Sequence, residues 1–131
     1  MSDIDWMETL GWSEEHIDDL RNAGYSYIRQ GKYDIAISFL QALTILDGLE
    51  AYDWQTLGGL YLEIGQHERA IKTLETALTL ARDHGPTRLN LAKTYLAVGR
   101  IGEAIKLAKS LQRDKNKTVA SVARALVLAY T

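Results

Sequence analysis

The chain has 131 residues, 47% hydrophobic and 24% charged, the composition of one folded domain of ordinary size. It has no cysteine, which excludes disulfides, thiolate catalysis and cysteine metal sites together and suits a reducing compartment. The net charge of −2 is unevenly spread: residues 1–50 hold ten acids and three bases, residues 51–131 seven acids and twelve bases, a polarity that can steer a partner or align two copies and that solvated helix faces also show.

In chain order, Met1–Asp5 carries acids where a secretory signal would carry bases. No uncharged apolar run approaches the roughly 20 residues of a membrane span. The expectation is a cytoplasmic protein without stable membrane insertion. Residues 1–12 read as an arm holding Trp6, Leu10 and Trp12. Ser13 followed by Glu14 and Glu15 starts a helix, because the hydroxyl accepts from free amides and the acids favour the positive helix end. That helix runs to about Gln30, and Gly31 ends it as a residue free to turn left-handed. A second helix spans Tyr33 to Leu46, and Asp47-Gly48 is a turn.

The same plan then returns with a period of 34. Gly31, Gly65 and Gly99 fall in register, as do Tyr27, Tyr61 and Tyr95, the small residues Gly24, Gly58 and Ala92, the alanines 36, 70 and 104, and the isoleucines 37, 71 and 105. Such a period marks stacked helical hairpins. The later second helices read His67 to Ala81 and about Gly102 to Leu111, with Gly85-Pro86 between them and Pro86 at a first helical position. A last helix is capped by Thr118 and runs to Tyr130, apolar on nearly every side except at Ser121 and Arg124. Repeat three, the amino-terminal arm, a second copy or a client are the candidates to cover it.

Trp54, Leu57, Gly58, Tyr61 and Ala70 spell W-x2-L-G-x2-Y followed by the alanine of A-x3-F, with Leu74 for the aromatic, and this stretch resembles a tetratricopeptide repeat. The first copy has Leu20 and Ala23 at the tryptophan and leucine positions, the third Arg88 and Leu91, and Gly48, Arg82 and Asn116 stand where a closing proline is usual. The resemblance implies an all-α superhelix of three tetratricopeptide hairpins with a C-terminal capping helix. The corresponding divisions are an arm at 1–12, repeats at about 17–50, 51–84 and 85–118 within 13–118, and a cap at 119–131.

Chemistry-bearing patterns are sparse. There is no phosphate loop, no dinucleotide fingerprint following a strand and no nucleophile elbow. His16, His67 and His84 are far apart, so no metal site forms at helical spacing, and His67 reads as a packing residue at a helix start. The pairs Glu14/Asp18 and Glu15/Asp19 belong to a solvated first turn. Lys106, Lys109 and Arg113, with Lys115 and Lys117, make a basic face without interleaved aromatics, which argues against nucleic acid. No catalytic residue, metal or cofactor is expected, and the chain does not read as an enzyme.

The tetratricopeptide resemblance implies a concave groove on the first helix of each repeat. Its lining would be Asp18, Arg21, Tyr25, Ile28, Tyr52, Gln55, Thr56, Gly59, Leu62, Leu89, Asn90, Lys93 and Leu96. Members that hold the acidic tail of a heat-shock chaperone clamp carboxylates with lysine, arginine and asparagine, whereas the matching positions here are Arg21, Tyr25, Thr56, Pro86 and Asn90. Only the first and last of these suit that task. The run Gln41-Ala42-Leu43 to Leu46-Asp47, with Leu57-Gly58-Gly59-Leu60 and Ile64-Gly65-Gln66, is similar to the small chaperones of bacterial type III secretion over roughly residues 14 to 110. That resemblance implies a protein client, a translocator or needle-type subunit, kept soluble in the groove without nucleotide. A general scaffold joining subunits of a larger complex is the alternative, and a homodimer through the arm or the last helix stays open.

Overall fold

The computed structural model describes residues 5–131; Met1–Ile4, with Asp3 of the acidic start, lie outside the described residues. The helices are α1 (Trp6–Leu10), α2 (Glu14–Arg29), α3 (Tyr33–Leu46), α4 (Ala51–Glu63), α5 (His67–Leu80), α6 (Gly85–Ala97), α7 (Ile101–Ser110) and α8 (Lys117–Tyr130). Three antiparallel hairpins, α2/α3, α4/α5 and α6/α7, stack in order, and α8 closes the stack against α7 and α6.

Each hairpin turns by one device. Gly31, Gly65 and Gly99 adopt φ of 73°, 79° and 81°, a region that penalises any Cβ. The following amides of Lys32, Gln66 and Arg100 then donate back to the carbonyls of Tyr27, Tyr61 and Tyr95 at 2.9, 2.9 and 2.8 Å. These are Schellman closures, which satisfy carbonyls the helix end would leave bare. Thus the repeated tyrosine and glycine are two ends of one cap.

Inside each hairpin, size is matched across the helix pair. A Cβ on Gly58 would stand 2.5 Å from Leu74 Cδ2, and one on Gly24 would stand 3.0 Å from Leu40 Cδ2. In the third hairpin Ala92 takes the glycine position, and the residue in register with Leu40 and Leu74 is Ala108. All three of these facing residues are fully buried, as are Ala36, Ala70 and Ala104. Between hairpins, Gln41 Nε2 donates to the Tyr61 hydroxyl at 2.7 Å and the Tyr95 hydroxyl donates to Glu75 at 3.4 Å, positions again 34 apart. Tyr27, with no hairpin before it, stacks on Phe39 with ring centres 5.4 Å apart.

Five boundaries differ from the sequence reading, among them that of α5, which ends at Leu80 with Ala81 as its cap. The arm contains a one-turn helix, capped where Asp5 Oδ1 accepts from Glu8 N, too short to show periodicity. Pro86 occupies the second helical position because His84 is the cap, its Nδ1 accepting from Thr87 N. Helix α7 runs from Ile101 to Ser110, one residue earlier at each end than expected. Asn116, not Thr118, caps α8: its Oδ1 accepts from Val119 N at 3.1 Å, while its own amide donates to Asp114. The Asp114 carboxylate lies where a Cβ on Gly85 would be, 2.7 Å away, beside the positive end of α6. Helix α8 buries Val119, Ala120 and Ala123, and beyond them Leu128 and Tyr130 are exposed.

Close packing at the glycines sets a stability test. Gly58→Ala gains roughly 1 kcal/mol of helix propensity but overpacks Leu74, at a cost of about 1–3 kcal/mol, and Gly58→Leu unfolds the middle hairpin. The expected net result for Gly58→Ala in urea unfolding is a loss of stability, smaller for Gly24→Ala. Adding Leu74→Ala to Gly58→Ala should abolish the overpacking component; an equal penalty with Leu74 present or absent would contradict size matching.

Candidate functional site

The first helices of the hairpins share one side of the stack. Helices α4 and α6 touch directly, α6 touches α8, and α2 reaches α4 through side chains, whereas α3, α5 and α7 make no helix-to-helix contact with one another among the described residues. The hairpins join where α3 meets α4 and α5 meets α6, and the first helices lie closer to one another than the second helices do, so the stack curves with α2, α4, α6 and α8 inside. The resulting trough is open rather than enclosed.

Its entrance is organised by charge. Arg21 forks onto Asp53, with Nε to Oδ1 at 2.9 Å and Nη2 to Oδ2 at 2.7 Å, and its Nη1 bonds the exposed Asp18 at 3.1 Å. Asp53 is completely buried, so the bidentate guanidinium is what makes its burial tolerable. The hydrogen bond to Asp53 also raises the Arg21 pKa, fixing its positive charge. A 320 Å³ hollow runs from Arg21 past Asp18 to Glu14, Asp47 and Glu50, leaving this end acidic.

Tyr25 and Tyr52 meet with ring centres 5.7 Å apart and planes tilted by 58°. The Tyr25 hydroxyl is buried without a hydrogen-bond partner, since the neighbouring Thr56 hydroxyl donates instead to Tyr52 O at 2.9 Å. Burial pushes the Tyr25 phenol up to about 12, with Asp53 adding to the rise and Thr56 opposing it. Tyr52 is 56% exposed, an aromatic face offered to solvent. Farther along, a Cβ on Gly59 would meet only Asn90 Nδ2, at 3.8 Å, so the floor between α4 and α6 is open to a close-approaching backbone.

The other expected lining residues divide three ways. Gln55 and Asn90 are half-buried and Lys93 is exposed. Ile28, Leu62 and Leu96 are partly buried and pack on the main core, so each offers one edge only. Leu89 is 6% exposed and belongs to a second core cluster with Leu111, Val119 and Ala123, which removes it from the lining. Helix α8 caused that shift: by docking on α6 it covers the side that Leu89 presents. Asp53 went unnoticed in the sequence because an aspartate in a first helical turn reads as solvated, and its partner lies 32 residues away.

Two consequences can be measured. Arg21→Met leaves the Asp53 carboxylate buried and unpaired, and urea unfolding should show a loss of about 3–5 kcal/mol, most of it recovered when Asp53→Leu is added. Tyr25→Phe removes an unpartnered hydroxyl and should leave stability unchanged or raised by about 1 kcal/mol. In the parent protein the folded phenol titrates above the unfolded one, near 10. Its contribution is therefore complete below pH 10 and lost as pH rises through about 12. Tyr25→Phe should flatten that alkaline decline.

The fold and trough can be set beside known proteins. A tetratricopeptide repeat family model matches residues 61–127, 67 of the 131, and a second tetratricopeptide model matches residues 20–44. No curated protein matches the chain. Among solved structures, the chain is similar to the Yersinia enterocolitica type III secretion chaperone SycD in complex with a peptide of the translocator YopD, at 21% identity and TM-score 0.84, covering 90% of this chain and 94% of that one. It is also similar to PcrH of Pseudomonas aeruginosa in complex with the chaperone binding region of PopD, at 24% identity and TM-score 0.78, covering 92% and 94%. The first tetratricopeptide domain of Spaghetti (RPAP3), bound to the HSP90 peptide SRMEEVD, matches at 19% identity and TM-score 0.78, covering 89% and 94%. Helix order, the three glycine-capped hairpins and the family match agree: the chain belongs to the tetratricopeptide repeat family.

Proposed function

We propose that the protein is a tetratricopeptide chaperone that holds a type III secretion client, a translocator or needle-type subunit, in the trough of α2, α4 and α6, in the cytoplasm and without catalysis. The observation that carries the reading is the trough floor at Gly59, bare of side chain and open up to Asn90, on the same helix, α4, as Tyr52 of the Tyr25–Tyr52 pair. A peptide backbone fits against the bare floor while its apolar side chains pack beside Tyr52, Leu62 and Leu96. The secretion context is supported by the Gln41-Ala42-Leu43 to Leu46-Asp47 run and by the likeness to SycD and PcrH, whose structures contain translocator segments.

Occupancy is the whole mechanism. A client segment sheltered in the trough is withheld from self-association, and no bond needs to be made or broken. Charge adds direction: the acidic entrance at Asp18, Glu14 and Glu50 favours a basic residue on the client, and Lys93 an acidic one.

Binding of an acidic chaperone tail is disfavoured. Of the two groups suited to a carboxylate clamp, Arg21 is already spent on Asp53, which leaves Asn90. The scaffold reading keeps the same trough but removes the protective role.

Co-expression with neighbouring reading frames separates the two. One neighbour that is insoluble alone should become soluble in a defined complex, and uniformly soluble neighbours would leave the scaffold reading. In that complex Tyr52→Ala with Lys93→Glu, both at exposed positions, should weaken affinity at least tenfold by calorimetry with little change in melting temperature. Unchanged affinity would move the binding surface away from the trough.

A further inference from the structure

The third hairpin departs from the second at one place with a visible result. Arg88 stands 34 residues after Trp54, the position where the second hairpin carries its own indole on the helix face of Leu57 and Tyr61. Around Arg88 there is a 410 Å³ hollow between α6 and α7, within the range of ordinary small-ligand clefts. Its floor is Leu91 and Tyr95, both buried, with Leu107 on the α7 side. The mouth carries Arg88, whose Nη2 donates to Ser110 Oγ at 2.8 Å, and Lys106, which is exposed and makes no ion pair among the described residues.

The one acid at the mouth, Glu103, is already neutralised by the forked Arg100, at 2.8 and 2.7 Å. Arg100 also lies 4.5 Å from the centre of the Tyr95 ring. An apolar floor under a mouth with surplus positive charge therefore faces solvent, on the α6 face of residues 88, 91 and 95. Asn90 and Lys93 of the trough lie on a different face of the same helix.

We propose that this hollow is a second docking site, which takes an aromatic side chain from an acidic segment of a protein partner. The aromatic would take the place that the repeat register gives to an indole, beside Leu91 and Tyr95 and against the flat guanidinium of Arg88, which attracts a ring face. Carboxylates on either side of it meet Lys106 and Arg88. The site is independent of the trough, so its test stands whatever the client assay shows.

The probe is the peptide acetyl-Asp-Glu-Trp-Glu-Asp-amide, titrated into the full chain and followed by NMR. The expected result is saturable shifts centred on Leu91, Tyr95 and Leu107, weakened by salt, with at least tenfold lower affinity for the peptide carrying alanine for tryptophan. Arg88→Trp should fill the hollow from within, raise the melting temperature and reduce affinity at least tenfold. Lys106→Glu changes an exposed side chain that the fold does not use, and should weaken binding several-fold with unchanged melting; Lys93→Glu should leave it as it was. Shifts confined to Tyr25, Tyr52 and Lys93, equal affinity for the alanine peptide, or binding indifferent to both Arg88→Trp and Lys106→Glu would overturn the proposal.

Discussion

Everything in this molecule depends on how closely two helices of a hairpin can approach. The distance is set where a missing or minimal side chain on one helix receives a leucine from the other, Gly24 facing Leu40 and Gly58 facing Leu74. Where the receiving residue grows by one methyl, to Ala92, the residue in register with those leucines shrinks to Ala108. Growth on one helix is thus answered by shrinkage on the other, the reciprocity a densely packed core imposes. Close hairpins in turn bring Tyr61 and Tyr95 within reach of Gln41 and Glu75, so spacing inside one repeat fixes the polar register between repeats.

The trough inherits its shape from this packing and its composition from residues the packing leaves free. Arg21 and Asp53 show the two roles meeting. Their fork ties the first hairpin to the second through a fully buried carboxylate, and it also removes from the trough the cation that would otherwise serve an acidic ligand. What stays accessible on that side is Tyr52, the open floor at Gly59 and the exposed Lys93.

Most of the fold was legible in the sequence, for a physical reason. A 34-residue period writes the same steric demand three times, so Gly31, Gly65 and Gly99 predict three turns, and the bounds of α3 follow to the residue. What was not legible depends on events that occur once. The five-residue α1 has no period, and the cap of α8 rests on Asn116 rather than on the equally plausible Thr118. Leu89 looked like lining until α8 docked over it, and Asp53, buried under Arg21, carried no sequence signal because its partner lies on another hairpin. The run Gln41-Ala42-Leu43, read first as a family likeness, has a mechanical content: Gln41 bonds Tyr61 and Leu43 is fully buried.

Each hairpin is fastened to the next chiefly where its second helix meets the following first helix, α3 on α4 and α5 on α6, while the backbones of α3, α5 and α7 stay apart from one another among the described residues. Such an object behaves like a row of hinges: bending that spreads or gathers the second helices breaks no contact between them, whereas sliding α3 along α4 or α5 along α6 meets packed side chains and the Gln41–Tyr61 and Tyr95–Glu75 hydrogen bonds. The curvature of the stack is accordingly a softer mechanical coordinate than the register between its hairpins.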